Sequence, residues 1–135
     1  DLVQTHDCGT VINPMLVDGQ LAGGFAQAFG GALFEELVYD EEGQLQTVSF
    51  MDYHIPTAME IPPFDLHHQE TQSPHIPGGI KGVGESGTIA GVSLVATAID
   101  DALSDLDVIV TRVPITPPRL LELIRDAGNR EEVPS

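Results

Sequence analysis

The chain has 135 residues, room for one domain with a modest core. It carries 5 Lys+Arg against 21 Asp+Glu, a formal charge of −16, which excludes non-specific nucleic-acid or anionic-membrane binding because both need basic patches. One cysteine, Cys8, excludes an intrachain disulfide, and the apolar-leaning stretches over about 11–34 and 89–103 are broken by polar residues, so the expectation is a soluble, cytoplasmic protein without a membrane span. Lys81 is the only lysine, which makes its place in the fold worth establishing.

In chain order, Leu2 to Gly9 has the length of a short strand ending at Gly9. Asn13-Pro14 is a helix start, since Asn caps free backbone N–H groups and Pro suits the first helical position. Leu16, Leu21, Phe25, Phe29, Leu33 and Leu37 then recur at four-to-five-residue spacing and predict a helix to about Leu37. That stretch also holds Gly19, Gly23, Gly24, Gly30 and Gly31, each costing a helix roughly 0.5–1 kcal/mol relative to Ala. Two explanations stand: tight helix packing, or close approach of some other group to the backbone. Val38 to Phe50 reads as a β-hairpin turning at Glu42-Gly43. From about 51 to 80 the chain has Pro56, Pro62, Pro63, Pro74 and Pro77 and no sustained period, a long loop of the kind that serves a function or packs on something else. Ser86 or Thr88 can cap a helix running to near Asp105 through Ile89, Val92, Val95, Ile99 and Leu103. Asp107 to Val113 reads as a strand, and Thr116-Pro117 starts a last helix with Gly128 as its stop. The fold expected is α+β: two to three main helices packed on a small mixed β-sheet, with the proline-rich loop over about 51–80. It forms a single domain over 1–135, with 129–135 a frayed tail.

Gly82-Val83-Gly84-Glu85-Ser86-Gly87 matches the G-x-G-x-x-G dinucleotide-binding fingerprint. That motif needs a preceding strand and an acid ending the next strand about 20 residues on. Here Pro77-Gly78-Gly79 precedes it, and Asp107 begins its strand instead of ending it. Glu85 draws attention for another reason. It stands between glycines at the mouth of a helix, where backbone N–H groups favour an anion and apolar surroundings disfavour one, opposed effects that can poise a general base. The plainer alternative is a helix-initial glutamate serving its own dipole. His54, His67, His68 and His75, and His6 beside Asp7 and Cys8, fit no structural zinc spacing, so no metal ligand is assigned. Glu35-Glu36 reads as a solvated face.

Several stretches in order resemble one family: His6-Asp-Cys-Gly-Thr-Val-Ile-Asn-Pro14, Val17-Asp-Gly-Gln-Leu-Ala-Gly-Gly-Phe-Ala-Gln27, Leu33-Phe-Glu-Glu36, Met51-Asp-Tyr53, Ile55-Pro-Thr-Ala58 and Lys81-Gly-Val-Gly-Glu-Ser-Gly87. They resemble the C-terminal part of the molybdenum-binding large subunit of the xanthine dehydrogenase and aldehyde oxidase family. Met51-Asp-Tyr53 and Ser73-Pro-His75 look most like its aerobic carbon-monoxide-dehydrogenase branch. The resemblance runs from about His6 to Ile124 and departs from the usual pattern at Ala28, where the family has Gly.

The resemblance implies an oxidoreductase in which Glu85 lies beside the molybdenum and takes a proton from the hydroxyl that attacks an electron-poor carbon. Gly84 and Ser86 flank the metal, and Gln27 contacts the pterin. It implies a molybdopterin cofactor, in the cytosine dinucleotide form, in the complete enzyme. The implied partners are the remainder of the large subunit, iron-sulfur and FAD subunits or domains, and a small-molecule substrate. Family subunits are several times longer, so this chain alone is expected to bind no cofactor and to be inactive. Two other functions compete: a non-catalytic folding or assembly module, and a dinucleotide-binding domain built on Gly82–Gly87.

Overall fold

A computed structural model describes residues 2–131. In chain order the elements are β1 (Leu2–His6), α1 (Pro14–Leu33), β2 (Phe64–His68), α2 (Ser86–Ile89), α3 (Gly91–Ala102) and α4 (Pro117–Glu131), with 3-10 turns at Pro77–Gly79 and Ser104–Leu106. The α+β class holds. The backbone groups into two compact units, Asp1–Ala28 with Pro56–Gly91, and Phe29–Ile55 with Val92–Ser135.

In the first unit β1 and β2 form a two-stranded sheet that is parallel throughout, not mixed, with Leu2 opposite Phe64 and His6 opposite His68. The strand β2 lies inside the segment expected to be loop. Pro62 and Pro63 stand just ahead of it, where a missing N–H costs no ladder bond. The start of α1 is as expected: Asn13 Oδ1 accepts the Leu16 N–H at 3.2 Å and the Asn13 carbonyl accepts the Val17 N–H at 3.1 Å. Cys8, Val17 and Leu21 are buried together, with Val11, Leu66 and Val83 packed against them, while the Phe25 and Phe64 rings lie 5.6 Å apart. Leu21 has no exposed surface, and burying it contributes about 2 kcal/mol.

The glycines of α1 divide into two kinds. A Cβ on Gly24 would lie 2.9 Å from the Gly87 Cα, and one on Gly87 would lie 2.4 Å from the Leu21 carbonyl oxygen, so here backbone meets backbone. One on Gly91 would lie 2.4 Å from the Ala28 Cβ. At Gly23 there is open space. Ala28 is thus matched by a glycine at 91 and packs away in the interior, 1% exposed. The helix expected from Ser86 to about Asp105 is broken at Ala90 into α2 and α3. The apolar spacing of Ile89, Val92, Val95 and Ile99 carries across the break and concealed it.

In the second unit Ala32, Thr47, Val108, Ile115 and Ala127 are buried. The expected hairpin is not a ladder. Tyr39 and Leu45 make a single antiparallel bridge around a turn in which Gly43 has φ +79°. Beyond that bridge the Thr47 hydroxyl replaces a strand partner, accepting the Val38 N–H at 2.9 Å and donating to the Glu36 carbonyl at 3.2 Å. Nor is 107–113 a strand, because Asp107 turns the chain with φ +51° and the Val110 N–H is taken by Asp100 Oδ1 at 2.6 Å. Helix α4 starts at Pro117 as expected but runs through Gly128 to Glu131; of the tail expected from 129, residues 132–135 lie outside those described. Glu35 and Glu36 are engaged, not merely solvated. Tyr53 Oη donates to Glu35, and Arg119 pairs with Glu36 at 2.9 Å. The Glu35 carboxylate raises the Tyr53 phenol above its ordinary value.

Candidate active site

A cleft of about 350 Å3 lies wholly within the first unit, lined by Gln20, Gly23, Gly24 and Gln27 of α1 and by Gly84, Glu85, Thr88 and Ile89 of the segment that enters and forms α2. On a helix, positions 20, 23, 24 and 27 share one face, so two carboxamides stand on either side of a bare glycine floor. The facing segment is held close by the Gly24–Gly87 contact and by Thr88 Oγ1, which donates to the Gly24 carbonyl at 3.1 Å. Gly87 lies over Leu21 and Gly24, and Gly91 lies over Ala28, so the segment runs in the same direction as α1. Glu85, two residues before Gly87, is therefore at the Gln20 end of the cleft.

Glu85 is the residue preceding α2 and makes no side-chain cap bond. Its carbonyl accepts the Thr88 and Ile89 N–H groups at 3.0 and 3.3 Å, which leaves the carboxylate out of the local hydrogen bonding. The helix it precedes is a single four-residue turn, with little dipole for a glutamate to serve. Among the described residues neither Glu85 nor Gln20 nor Gln27 has a side-chain hydrogen bond or ion pair. Glu85 is exposed, so the apolar enclosure expected around it is not built by this chain's described residues.

Of the residues singled out from sequence, the cleft brings together Gln27, Gly84 and Glu85, while Ser86 is not in its lining. Gln20 was missed. Its signal was present in the seven-residue spacing to Gln27 across Gly23-Gly24, which puts both amides on one helical face. The dinucleotide alternative loses its structural basis: the 3-10 turn Pro77–Gly79 and a single bridge at Ile80, not a strand, lead into Gly82–Gly87, and only one turn of helix follows.

Lys81 does not approach Glu85 as an ion-pair partner. Its Nζ lies 3.0 Å from Asp7 Oδ2, while Asp7 Oδ1 accepts the Gly9 N–H at 2.9 Å and the Thr71 N–H at 3.1 Å. The Gly9 N–H first, then Lys81 and Thr71, hold the Asp7 carboxyl well below the usual carboxylate range. Burial lowers the neighbouring His6, against an opposing pull from Asp7. A group whose folded pKa is depressed stabilises the fold above its unfolded pKa and stops doing so as pH falls toward the folded value. Acid titration of the wild type and Asp7→Asn is therefore expected to show the wild-type advantage at neutral pH shrinking progressively below about pH 4. A constant difference between the two down to pH 2 would remove Asp7 from that role.

The molybdopterin cofactor-binding domain family matches residues 1–62. The nicotine 6-hydroxylase large subunit of Paenarthrobacter nicotinovorans is 45% identical over 116 residues, 86% of this chain and 14% of that one. The carbon monoxide dehydrogenase large chain of Afipia carboxidovorans is 46% identical over 101 residues, 75% of this chain and 12% of that one. This chain belongs to the xanthine dehydrogenase family of molybdenum-binding large subunits. Among solved structures, quinoline 2-oxidoreductase from Pseudomonas putida 86 superposes with a TM-score of 0.89 at 50% identity, over 92% of this chain and 16% of that one. The chain thus spans about a seventh of the length of these large subunits.

The cleft suits a flat, polar-edged group against its α1 face. Added Cβ atoms at Gly23 and Gly84 would meet nothing within 4 Å, so both glycines leave room beside their backbone, and two carboxamides with no side-chain partner among the described residues flank that floor. Such a surface fits one edge of a pterin.

Proposed function

We propose that this chain forms one wall of the active site of a molybdenum hydroxylase large subunit, with Glu85 as its general base. The observation that supports this most directly is the convergence of Gln27, Gly84 and Glu85, from two segments far apart in sequence, on one glycine-floored cleft. The molybdenum-pterin cofactor, when bound, supplies a Lewis acid and a two-electron acceptor. Gln27 would hold the pterin edge through Nε2 as donor and Oε1 as acceptor. Gly23 and Gly84, lacking side chains, would let it approach the backbone, and Gly84 and Ser86 would flank the metal. The carboxylate oxygens of Glu85 would take the proton released as an oxygen nucleophile attacks an electron-poor carbon of a small substrate. Ile89, 80% exposed, would give the cleft an apolar edge from which water is excluded once the rest of the subunit covers it.

The cofactor is read as the cytosine dinucleotide form. The remainder of the large subunit and the iron-sulfur and FAD subunits or domains complete the enzyme, in the cytoplasm, and this chain alone retains no cofactor and is inactive. Among the described residues no helix is long and apolar enough to cross a membrane. The test is molybdenum and pterin analysis of the chain co-expressed with the rest of a large subunit. Both are expected to co-purify, and Gln27→Ala should lower pterin retention about tenfold, the worth of one or two hydrogen bonds. Equal retention by Gln27→Ala would refute the role given to Gln27.

A further inference from the structure

The backbone that carries Glu85 is a short span between two anchors. Downstream, Gly87 is wedged against the Leu21 carbonyl and the Phe25 N–H group, positions a Cβ could not share. Upstream, the end of β1 is fastened to residues 79–81. The Lys81 N–H donates to the Cys8 carbonyl at 2.7 Å, Gly9 bridges Ile80, and the Thr10 N–H donates to the Gly79 carbonyl at 3.2 Å. Gly9, at φ +66°, comes so close that a Cβ there would lie 2.1 Å from the Gly79 oxygen. Between the anchors, Gly82 and Gly84 contribute no side chain, and among the described residues the span is held by the Val83 side chain packed on the core and by the Ser86 N–H on the Val83 carbonyl at 3.2 Å.

The upstream anchor is closed by one side chain, Lys81, on Asp7. An ion pair between freely moving surface groups is worth about 0–1 kcal/mol, because ordering both partners offsets the attraction. Asp7 is not such a group. Two backbone N–H groups, from Gly9 and Thr71, already fix its carboxylate, so Lys81 meets an anion whose orientation is set. In a chain with 21 acidic residues, its one lysine is directed to the acid that joins the end of β1, residues 69–73 and the 79–81 segment leading to Glu85.

We infer that Asp7 and Lys81 are positioning residues for the Glu85 span: their contact fixes where residue 82 starts, and through the backbone of 82–84 it sets where the Glu85 carboxylate stands in the cleft. This rests on Glu85 being the base, and the test separates the two. Amide hydrogen exchange is followed by mass spectrometry on the full chain as wild type, Lys81→Met, Lys81→Arg and Asp7→Asn. Lys81→Met is expected to speed exchange about tenfold at the hydrogen-bonded amides of the anchor and span, Thr10, Ser73, Lys81 and Ser86, with α1 and the β1–β2 pair unchanged; Asp7→Asn should add a general acceleration from its lost stability, and Lys81→Arg should restore most of the protection. In Lys81→Met, unchanged exchange at those four amides, or an equal acceleration in α1 and the strands, would overturn the inference. In the assembled enzyme, Lys81→Met should lower kcat about tenfold at unchanged molybdenum content and KM. If Lys81→Met keeps full kcat while Glu85→Gln is dead, the positioning role fails and the base stands. If exchange accelerates as expected and Glu85→Gln is fully active, the anchor stands and the base fails.

Discussion

Glu85→Gln, made in the complete large subunit, is expected to keep molybdenum and pterin at wild-type levels and to lose about 10²–10⁴-fold in kcat, the range supplied by a positioned general base. The substitution is nearly isosteric, and the local backbone does not depend on what it removes. The Glu85 carbonyl, not its carboxylate, receives the Thr88 and Ile89 N–H groups, and the side chain makes no cap bond. A loss of activity would therefore report on chemistry, not on folding. Glu36→Gln supplies the contrast. It removes the charge that holds Arg119 at 2.9 Å in the second unit and should lower stability slightly while leaving the Glu85 cleft intact. Turnover by Glu85→Gln within a few-fold of wild type, at full cofactor content, would falsify the assignment of Glu85 as base.

What could be read beforehand follows from where each signal is encoded. The start of α1 is local: Asn13 and Pro14 each suit one helical position, and the observed cap uses both. The strand β2 is not local. Its five residues pair in parallel with residues 62 positions earlier, and nothing within Phe64–His68 announces that partner. The hairpin expected over 38–50 is reduced to its turn and one bridge for a related reason, since beyond that bridge one threonine hydroxyl does what a strand backbone would otherwise do. In the site, Glu85 stood out by its glycine neighbours, but Gln27 was assigned through the family motif alone, and Gln20 in the same motif was passed over. Helical periodicity places both amides on the face that the cleft later reveals. The glycines could not be sorted from sequence at all. Close packing and room for a ligand both call for a missing Cβ, and only the neighbouring atoms tell them apart.

That difference gives the second large expected effect. Gly87→Ala should destabilise the chain by about 3 kcal/mol, because its Cβ would lie 2.4 Å from the Leu21 carbonyl oxygen and 2.9 Å from the Phe25 nitrogen, and neither backbone atom can yield without shifting α1. Gly84→Ala meets nothing within 4 Å and should leave thermal unfolding within about 0.5 kcal/mol of wild type, while lowering cofactor retention in the complete subunit because its methyl group occupies the cleft. Gly91→Ala is a third and intermediate case. The atom it strikes, at 2.4 Å, is the Ala28 Cβ, which can be deleted without touching backbone. Gly91→Ala alone should cost about 1–3 kcal/mol, and adding Ala28→Gly should recover most of it, less roughly 1 kcal/mol for a glycine inside α1. Thermal unfolding of the four chains forms a double-mutant cycle. A strongly favourable coupling between 28 and 91 would show that Ala28 is matched across a helix contact by Gly91 and leaves the proposed cofactor face as it was. Additive losses would mean that the clash is relieved by movement of α1 itself, and then Gly23 and Gly84 would not keep the spacing that the proposed cofactor wall requires.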